Sequence, residues 1–437
     1  MSALEAVRSA AQTDVGVKRS HNQDAYGAQP AVDRHGWEAH GHVFVVADGM
    51  GGHAVGEKAS AKAVRDIPFL YMKHAREGVI PALRRAFQET NAGIYAIGQE
   101  NPEFRGSGTT STALIVRPEG VWLGHVGDSR AYRIRGGKCD QLTFDHSWVW
   151  EIAKRQGIDP DQLGDFKKNV IIRSLGPDPE VEVDIEGPHP WQPGDVYLLC
   201  SDGLTNVVTP DEIGAVVTSL IPDEAVRFLI NLANLRGGPD NITVLIVQVP
   251  GRGAKKDAKV SGGGGLKKKL TGMAWPFPVL AVGCAMALLS LVLHNAESKV
   301  AAPLFLLSAT TIGVGLVGLI NHLRSQPAQV EEVDTGPREL NVYKQHECPI
   351  TRALIDRFAQ LEAMLAEMMR GKNVEADWAK YQKLSAAAEA EGKKGDSPAA
   401  LQGRCRSLLF LAEAYHKSSR PDGESFKPNW RSPGQDD

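Results

Sequence analysis

Short apolar runs bounded by Gly, Pro, Asn and Asp recur through the first 250 residues of this 437-residue chain and limit its fold more than any other feature. Runs of this kind are typical of β-strands, and stretches with apolar residues at three- and four-residue spacing predict helices. Because strands and helices are grouped instead of alternating one by one, the pattern predicts an α+β layered sandwich and not a doubly wound parallel sheet. The predicted strands are residues 42–47, 112–117, 121–126, 131–135, 196–200 and 242–249, and the predicted helices are residues 57–71, 79–98, 212–217 and 223–235.

Five aspartates lie in related settings near the ends of these runs: Asp24, Asp48, Asp128, Asp202 and Asp240. A single Asp-Gly pair, such as Asp48–Gly49, is ordinarily a tight turn. Several carboxylates at the ends of buried strands would converge on one sheet edge and repel one another unless a cation lies between them. Oxygen ligands without a nearby His or Cys favour Mg²⁺ or Mn²⁺ over Zn²⁺.

The aspartates indicate phosphoryl-transfer chemistry when they are combined with one arginine. Two ions about 3.5–4 Å apart would lower the pKa of a bridging water and neutralise the oxygens of a transferring phosphoryl group. Arg19 offers a planar guanidinium that matches two phosphate oxygens better than the ammonium of Lys18 would. Taken alone, Arg19 is better explained as a surface arginine.

Cysteine usage, charge and the N-terminal segment exclude several classes of protein. The five cysteines are widely spaced without a Cys-x-x-Cys pair, which argues against a disulfide framework or a zinc knuckle. The first residues lack a basic stretch followed by an apolar core, so we expect no secretory signal and a cytoplasmic first domain. The formal net charge is −3, and the basic residues cluster in a Gly-rich segment without aromatics, so we expect no nucleic-acid binding.

Two uncharged apolar runs, residues 274–293 and 300–320, follow a Gly- and Lys-rich linker at residues 251–273. Each has about the 20 residues that cross a bilayer, so together they predict a transmembrane helical hairpin, with a pair of buried core helices as the alternative. Lysines are concentrated before the hairpin. By the positive-inside rule we therefore expect a multi-pass protein of the inner (cytoplasmic) membrane with both termini in the cytoplasm.

The remainder of the chain predicts a second linker at residues 321–347, a helical domain at residues 348–417 and a disordered end at residues 418–437. Three apolar stripes in the helical domain suit a small bundle that packs on itself or dimerises. A tetratricopeptide-like repeat over residues 373–417 and recruitment of a partner protein are the alternatives.

Eight motifs in order carry a resemblance to a known family: TDVGVKRSHNQDA, VFVVADGMGGHAVGEKAS, GSGTTSTALIV, GHVGDSRAYRI, DHSWV, IIRSLG, GDVYLLCSDGLTN and PDNITVLIV. In these motifs residues 13–249 resemble the bacterial branch of the metal-dependent serine/threonine protein phosphatases, the protein phosphatase 2C family. The resemblance implies that residues 1–250 form a four-layer α-β-β-α sandwich with a metal site at one end. It also implies an enzyme that hydrolyses phosphoserine and phosphothreonine in phosphoproteins by metal-activated water, opposing bacterial Ser/Thr kinases.

The resemblance assigns roles to particular residues. The implied metal ligands are Asp24, Asp48, Gly49, Asp128, Asp202 and Asp240. Among them Asp48 would bridge two Mn²⁺ or Mg²⁺ ions, the Gly49 carbonyl would bind one of these, and Asp128 would support a third, weaker ion. Arg19 would bind the substrate phosphate and, with Asp48, carry the catalysis. Residues 146–174 occupy the place of the variable flap that shapes substrate access in the family.

The chain departs from the family pattern at two positions. Gln23 stands where some members carry a glutamate ligand, and Met50 stands where eukaryotic members carry a histidine that is a candidate general acid. Proton donation to the leaving group would then fall to a metal-bound water or an unidentified group. His53 is nearby, although a residue at a helix start explains it better. The GSGTTST segment, residues 106–112, lacks the lysine of a P-loop and indicates a turn.

A second function is consistent with the same residues. The phosphatase fold could serve as a scaffolding module at the membrane, with the helical tail recruiting a kinase. The complete set of acidic ligands favours the enzyme, because a scaffold has no need to bind two divalent ions.

Overall fold

The structure is a computed structural model that describes residues 7–51, 55–163, 170–249, 276–295, 300, 302–313 and 341–419. The described residues before 250 and after 340 form one compact unit, and those from 276 to 313 belong to a second.

The strands of the first unit are β1 (Arg8–Asp14), β2 (Asp24–Gln29), β3 (His42–Met50), β4 (Gly108–Thr109), β5 (Ser111–Arg117), β6 (Gly120–Val126), β7 (Arg130–Arg135), β8 (Lys138–Gln141), β9 (Asp184–His189), β10 (Val196–Cys200), β11 (Ile242–Gln248) and β12 (Lys344–Glu347). Its helices are α1 (Arg34–Ala39), α2 (Val55–His74), α3 (Val79–Glu100), α4 (Trp148–Gln156), α5 (Asp202–Thr205), α6 (Pro210–Ser219), α7 (Pro222–Leu235), α10 (Arg352–Gly371), α11 (Trp378–Lys394) and α12 (Ser397–Ser419). The second unit contains α8 (Pro276–Asn295) and α9 (residues 302–313).

Two antiparallel sheets form the centre of the first unit. One has the strand order β1-β11-β10-β7-β8-β12 and the other has the order β2-β3-β5-β6-β9, with β4 paired to β3. Alternation along β3 sets the layers, since successive side chains point to opposite faces. Val43 and Val45 pack into the core under α2 and α3, whereas Phe44 and Val46 pack against the other sheet. Helices α6 and α7 cover the outer face of that sheet, which confirms the predicted α+β sandwich.

The C-terminal segment differs from its prediction as a separate helical domain behind a linker. Helices are present there as predicted, but they share one continuous core with α6, α7 and the adjoining sheet. Phe358 of α10 lies 5.4 Å from Phe228 of α7, measured between ring centroids. Residues 344–347, predicted as linker, form β12 and pair with β8. Residues 341–419, here called the tail, join the sandwich for two reasons. Without β12, strand β8 would have an open edge, and α7 has apolar side chains on two faces.

Helix α8 overlaps the first predicted transmembrane segment, and α9 lies inside the second. In the parts of the chain that the structure describes, no helix is both long enough and apolar enough to cross a membrane. The predicted hairpin at residues 274–293 and 300–320 is therefore not confirmed. The linker at 251–273, most of the linker at 321–347 and residues 420–437 of the predicted disordered end lie outside the described residues, whereas residues 418–419 of that end belong to α12.

Candidate active site

Strand pairing brings the predicted aspartates to one end of the sandwich. Asp24 begins β2 and is the register partner of Asp48 on β3. Asp202 begins α5, directly after β10, and Asp240 lies just before β11, the neighbour of β10. The two sheets therefore contribute carboxylates to the same end.

Asp24 is the most enclosed of these residues. Its Oδ2 atom accepts hydrogen bonds from the Ser201 hydroxyl at 2.6 Å and the Thr243 hydroxyl at 2.8 Å. Burial raises the pKa of Asp24 to about 7, and the charges of Asp202 and Asp240 add to the shift, while the two hydroxyls oppose it. Its Oδ1 atom is buried and has no hydrogen-bond partner among the described residues.

The pKa values of Asp48 and Asp128 are shifted in the same direction. Burial raises the pKa of Asp48 well above its usual range, and Asp24 and Asp202 reinforce the shift by repulsion. The pKa of Asp128 is raised to about 8, first by burial and then by the charge of Asp202. One buried oxygen each of Asp128 and Asp202 also lacks a hydrogen-bond partner within the described part of the chain. These buried carboxylates repel one another. A divalent cation would supply the positive charge that offsets this repulsion.

The side chains do not already form a closed cage. Among the described residues, no three His, Cys, Asp or Glu side chains are arranged closely enough to hold an ion as they stand. The donor set consists of oxygens alone, which suits Mn²⁺ or Mg²⁺.

Arg19 lies at the solvent-facing edge of the cluster. Its Nη2 atom donates to Asp240 Oδ2 at 2.8 Å, and its side chain is 52% exposed. The guanidinium is therefore fixed beside the carboxylates while it remains open to a ligand from solvent.

Backbone geometry around Asp48 depends on small neighbouring residues. The Asp48 backbone N–H donates to Thr110 Oγ1 at 2.9 Å, and its carbonyl accepts from the Thr110 backbone N–H at 2.8 Å. The GSGTTST segment thus holds Asp48 in place, but it does so as strand, because residues 108–109 form β4 and residues 111–112 begin β5, so the predicted turn is wrong for most of the segment. At position 49 a Cβ atom would overlap the carbonyl oxygen of Gly56, so only glycine fits there.

Several residues of the site were not predicted from the sequence. Ser201 and Thr243 fix Asp24, and Asn241 Nδ2 donates to the carbonyls of Val15 and His21, which holds the loop that carries Arg19. The feature of the sequence that could have identified them is a polar residue within or beside an apolar run. Such a residue must find a hydrogen-bond partner when it is buried.

The positions that depart from the family pattern lie close to this site. Gln23 Nε2 donates to the Gly51 carbonyl at 3.1 Å, and Met50 ends β3. His53 lies outside the described residues.

The described part of the predicted flap contains α4 and a short 3-10 turn at Pro160–Leu163. Trp150 and Asp161 of the flap line a cleft of about 180 Å³ together with Asp128 and Asp202. The flap therefore forms one wall of the cleft beside the carboxylate cluster.

Comparison with known proteins covers the part of the chain that holds this site. Residues 16–229 match the family described as protein phosphatase 2C, a range that includes Arg19 and Asp202 but ends before Asp240. The serine/threonine phosphatase Stp of Listeria monocytogenes is 37% identical over 243 residues, which is 54% of this chain and 94% of that protein. Protein phosphatase PhpP of Streptococcus pneumoniae is also 37% identical, over 54% of this chain and 95% of that protein. The crystal structure of the serine/threonine phosphatase PstP/Ppp of Mycobacterium tuberculosis is 32% identical, with a TM-score of 0.51 over 56% of this chain and 99% of that one.

Proposed function

The chain belongs to the protein phosphatase 2C family and is a protein serine/threonine phosphatase, and from this premise we propose that it hydrolyses phosphoserine and phosphothreonine with two bound Mn²⁺ or Mg²⁺ ions. Asp48 would be shared by the two ions. The other proposed ligands are Asp24, the Gly49 carbonyl, Asp202 and Asp240, with Asp128 supporting a third ion.

The observation that carries this proposal is the group of buried carboxylates without a positive partner. Three buried oxygens, on Asp24, Asp128 and Asp202, have no hydrogen bond among the described residues. In a folded protein such atoms cost free energy unless a ligand pairs with them.

The chain's own residues hold and orient the reacting groups. The hydroxyls of Ser201 and Thr243 engage Asp24 Oδ2, so Oδ1 is the oxygen left for an ion. The half-exposed guanidinium of Arg19 is suited to bind two oxygens of the substrate phosphate. When bound, the ions would lower the pKa of a water molecule and neutralise charge on the phosphoryl oxygens.

The metal proposal is tested with the full-length protein and a phosphothreonine peptide. Asp48→Asn should lower phosphate release at least about 100-fold because a shared ligand is lost. Calorimetric titration with Mn²⁺ should show two sites in the wild type and weaker binding in the variant. Asp33→Asn is the matched control, since Asp33 caps α1 away from the cluster and asparagine also caps helices. Unchanged turnover in Asp48→Asn, or full activity in EDTA, would contradict the proposal.

We also propose that the substrates are phosphoproteins made by bacterial Ser/Thr kinases, and that residues 274–320 anchor the enzyme in the cytoplasmic membrane with both ends in the cytoplasm. The anchor is supported only by the two uncharged runs and the lysines before them. Extraction of cell membranes with alkaline carbonate should leave the full-length chain in the pellet and release a variant that lacks residues 257–336. Release of both would refute the anchor.

A further inference from the structure

A lysine of the C-terminal segment reaches back to the flap. Residues 341–347, here named the strap, precede α10 and include β12. Lys344 Nζ of the strap lies 2.8 Å from Asp159 Oδ1 and 2.7 Å from Asp161 Oδ2, both in the flap. The lysine side chain is only 14% exposed, although the two carboxylates are largely exposed. Lys344 is thus enclosed between two flap carboxylates.

Aromatic contacts reinforce the same junction. Lys344 Nζ lies 5.2 Å from the centroid of the Trp150 ring in α4. The Tyr343 ring lies 5.7 Å from Phe144, which in turn packs edge-on against Trp150 at 5.1 Å. Two neighbouring strap residues therefore contact the flap helix and the segment that leads into it.

The strap is itself firmly attached to the sandwich. The Tyr343 backbone N–H donates to the Gln141 carbonyl at 3.0 Å, and Gln345 Nε2 donates to Asp140 Oδ1 at 2.7 Å. The Tyr343 hydroxyl donates to Glu186 Oε1 at 2.7 Å, on the other sheet. Since the strap is bonded to both sheets, its lysine offers the flap a fixed point.

The residues that the strap contacts also form the cleft wall. Trp150 and Asp161 line the cleft that contains Asp128 and Asp202. A change in the flap would move this wall relative to the carboxylate cluster.

We propose that Lys344 is a positioning residue for the phosphatase reaction, through which the C-terminal tail holds the flap and sets how the cleft receives a phosphoprotein. The proposal rests on the proposed function only in taking a phosphoprotein as the substrate. It predicts an effect on the binding of extended substrates and none on the chemistry at the metal cluster.

The kinetic test compares a phosphothreonine peptide with p-nitrophenyl phosphate, which is too small to contact the flap extensively. Lys344→Met keeps the aliphatic stem and removes the charge, so we expect KM for the peptide to rise about three- to fivefold, the range of one partly buried ion pair. We expect kcat, and the turnover of p-nitrophenyl phosphate, to stay within about twofold. Lys344→Arg should restore the peptide KM, because it returns the positive charge.

Two further variants separate tethering from general damage. Asp159→Asn combined with Asp161→Asn should reproduce the rise in KM, and adding Lys344→Met should raise it no further, because all three changes break one interaction. Lys138→Met is the matched control: Lys138 pairs with Glu347 and Gln345 of the strap but not with the described part of the flap. It should leave KM unchanged.

A measurement independent of activity is tryptic cleavage after Lys154 and Arg155 of α4 in the metal-loaded full-length protein. Cleavage should be faster in Lys344→Met than in the wild type or Lys138→Met. Equal cleavage, equal loss with both substrates, or failure of Lys344→Arg to restore KM would each overturn the proposal. An inactive wild type would refute the proposed function alone, since the cleavage rates would still decide whether Lys344 holds the flap.

Discussion

Buried carboxylates in this protein have pKa shifts of opposite sign, and their partners explain the difference. Asp24 is buried and lies near two further carboxylates, so its pKa rises to about 7. Glu212 is also buried, which pushes its pKa upward, but hydrogen bonds and charge from Arg236 and a hydrogen bond from Arg357 outweigh burial and lower its pKa to about 2. The carboxylate with the raised pKa and no cationic partner, Asp24, lies in the candidate site. A lowered pKa marks the junction between α6 and the tail, because Arg357 belongs to α10.

The Glu212 cluster predicts a pH dependence of stability. The pKa of Glu212 is lower in the folded state than its usual 4.5, so its stabilisation is present above pH 4.5 and is lost as the pH falls towards 2. Between pH 5 and 3, the free energy of unfolding of the wild type should fall more steeply than that of Glu212→Gln, by up to about 1.4 kcal/mol per pH unit. Urea denaturation followed by circular dichroism measures both slopes. Parallel curves would contradict the assignment.

Among the elements, β3 is constrained at its end by two neighbours, β2 and α2. Its register with β2 pairs Asp24 with Asp48, and the next residue, Gly49, lies against the start of α2. The pleat of β3 therefore determines which side chains face the helices and which face the other sheet, and its register determines where the carboxylate emerges.

Gly49→Ala should disturb this element specifically. The new methyl group would overlap the Gly56 carbonyl, so either β3 or α2 must shift. We expect phosphatase activity to fall at least about tenfold and the free energy of unfolding to fall by about 1–3 kcal/mol. Gly371→Ala is the control, because no atom lies within 4 Å of a Cβ built there. Similar activity in both variants would show that the close approach at Gly49 is unimportant.

At the scale of the whole molecule, the tail and the sandwich share one core. The fully buried ring of Phe358 in the tail packs with α7, and β12 completes the edge of a catalytic sheet. Elements that share a hydrophobic core are expected to unfold together.

Phe358→Ala should therefore destabilise the catalytic sandwich as well as the tail. Loss of a buried phenyl ring costs about 3–5 kcal/mol. Thermal unfolding followed by calorimetry should show one transition for the tail and the sandwich, shifted to lower temperature in the variant. Met364→Ala is the control, because the Met364 side chain is 66% exposed, and it should leave the transition temperature unchanged. A shifted tail transition beside an unshifted phosphatase transition would show two independent domains.

Local sequence patterns alone predicted the class of fold, the six main strands, the four long helices of the sandwich and the aspartates of the candidate site. These follow from local periodicity and from motifs whose residues are close along the chain. Six strands of the described residues were not predicted, β1, β2, β4, β8, β9 and β12, because they are short or have few apolar residues and owe their strand conformation to pairing with other strands. Tertiary contacts were needed to show that Ser201 and Thr243 bind Asp24, that Glu212 pairs with Arg357 of the tail, and that Lys344 pairs with the flap. Each of these contacts joins residues far apart in the chain, and no local pattern records such a distance.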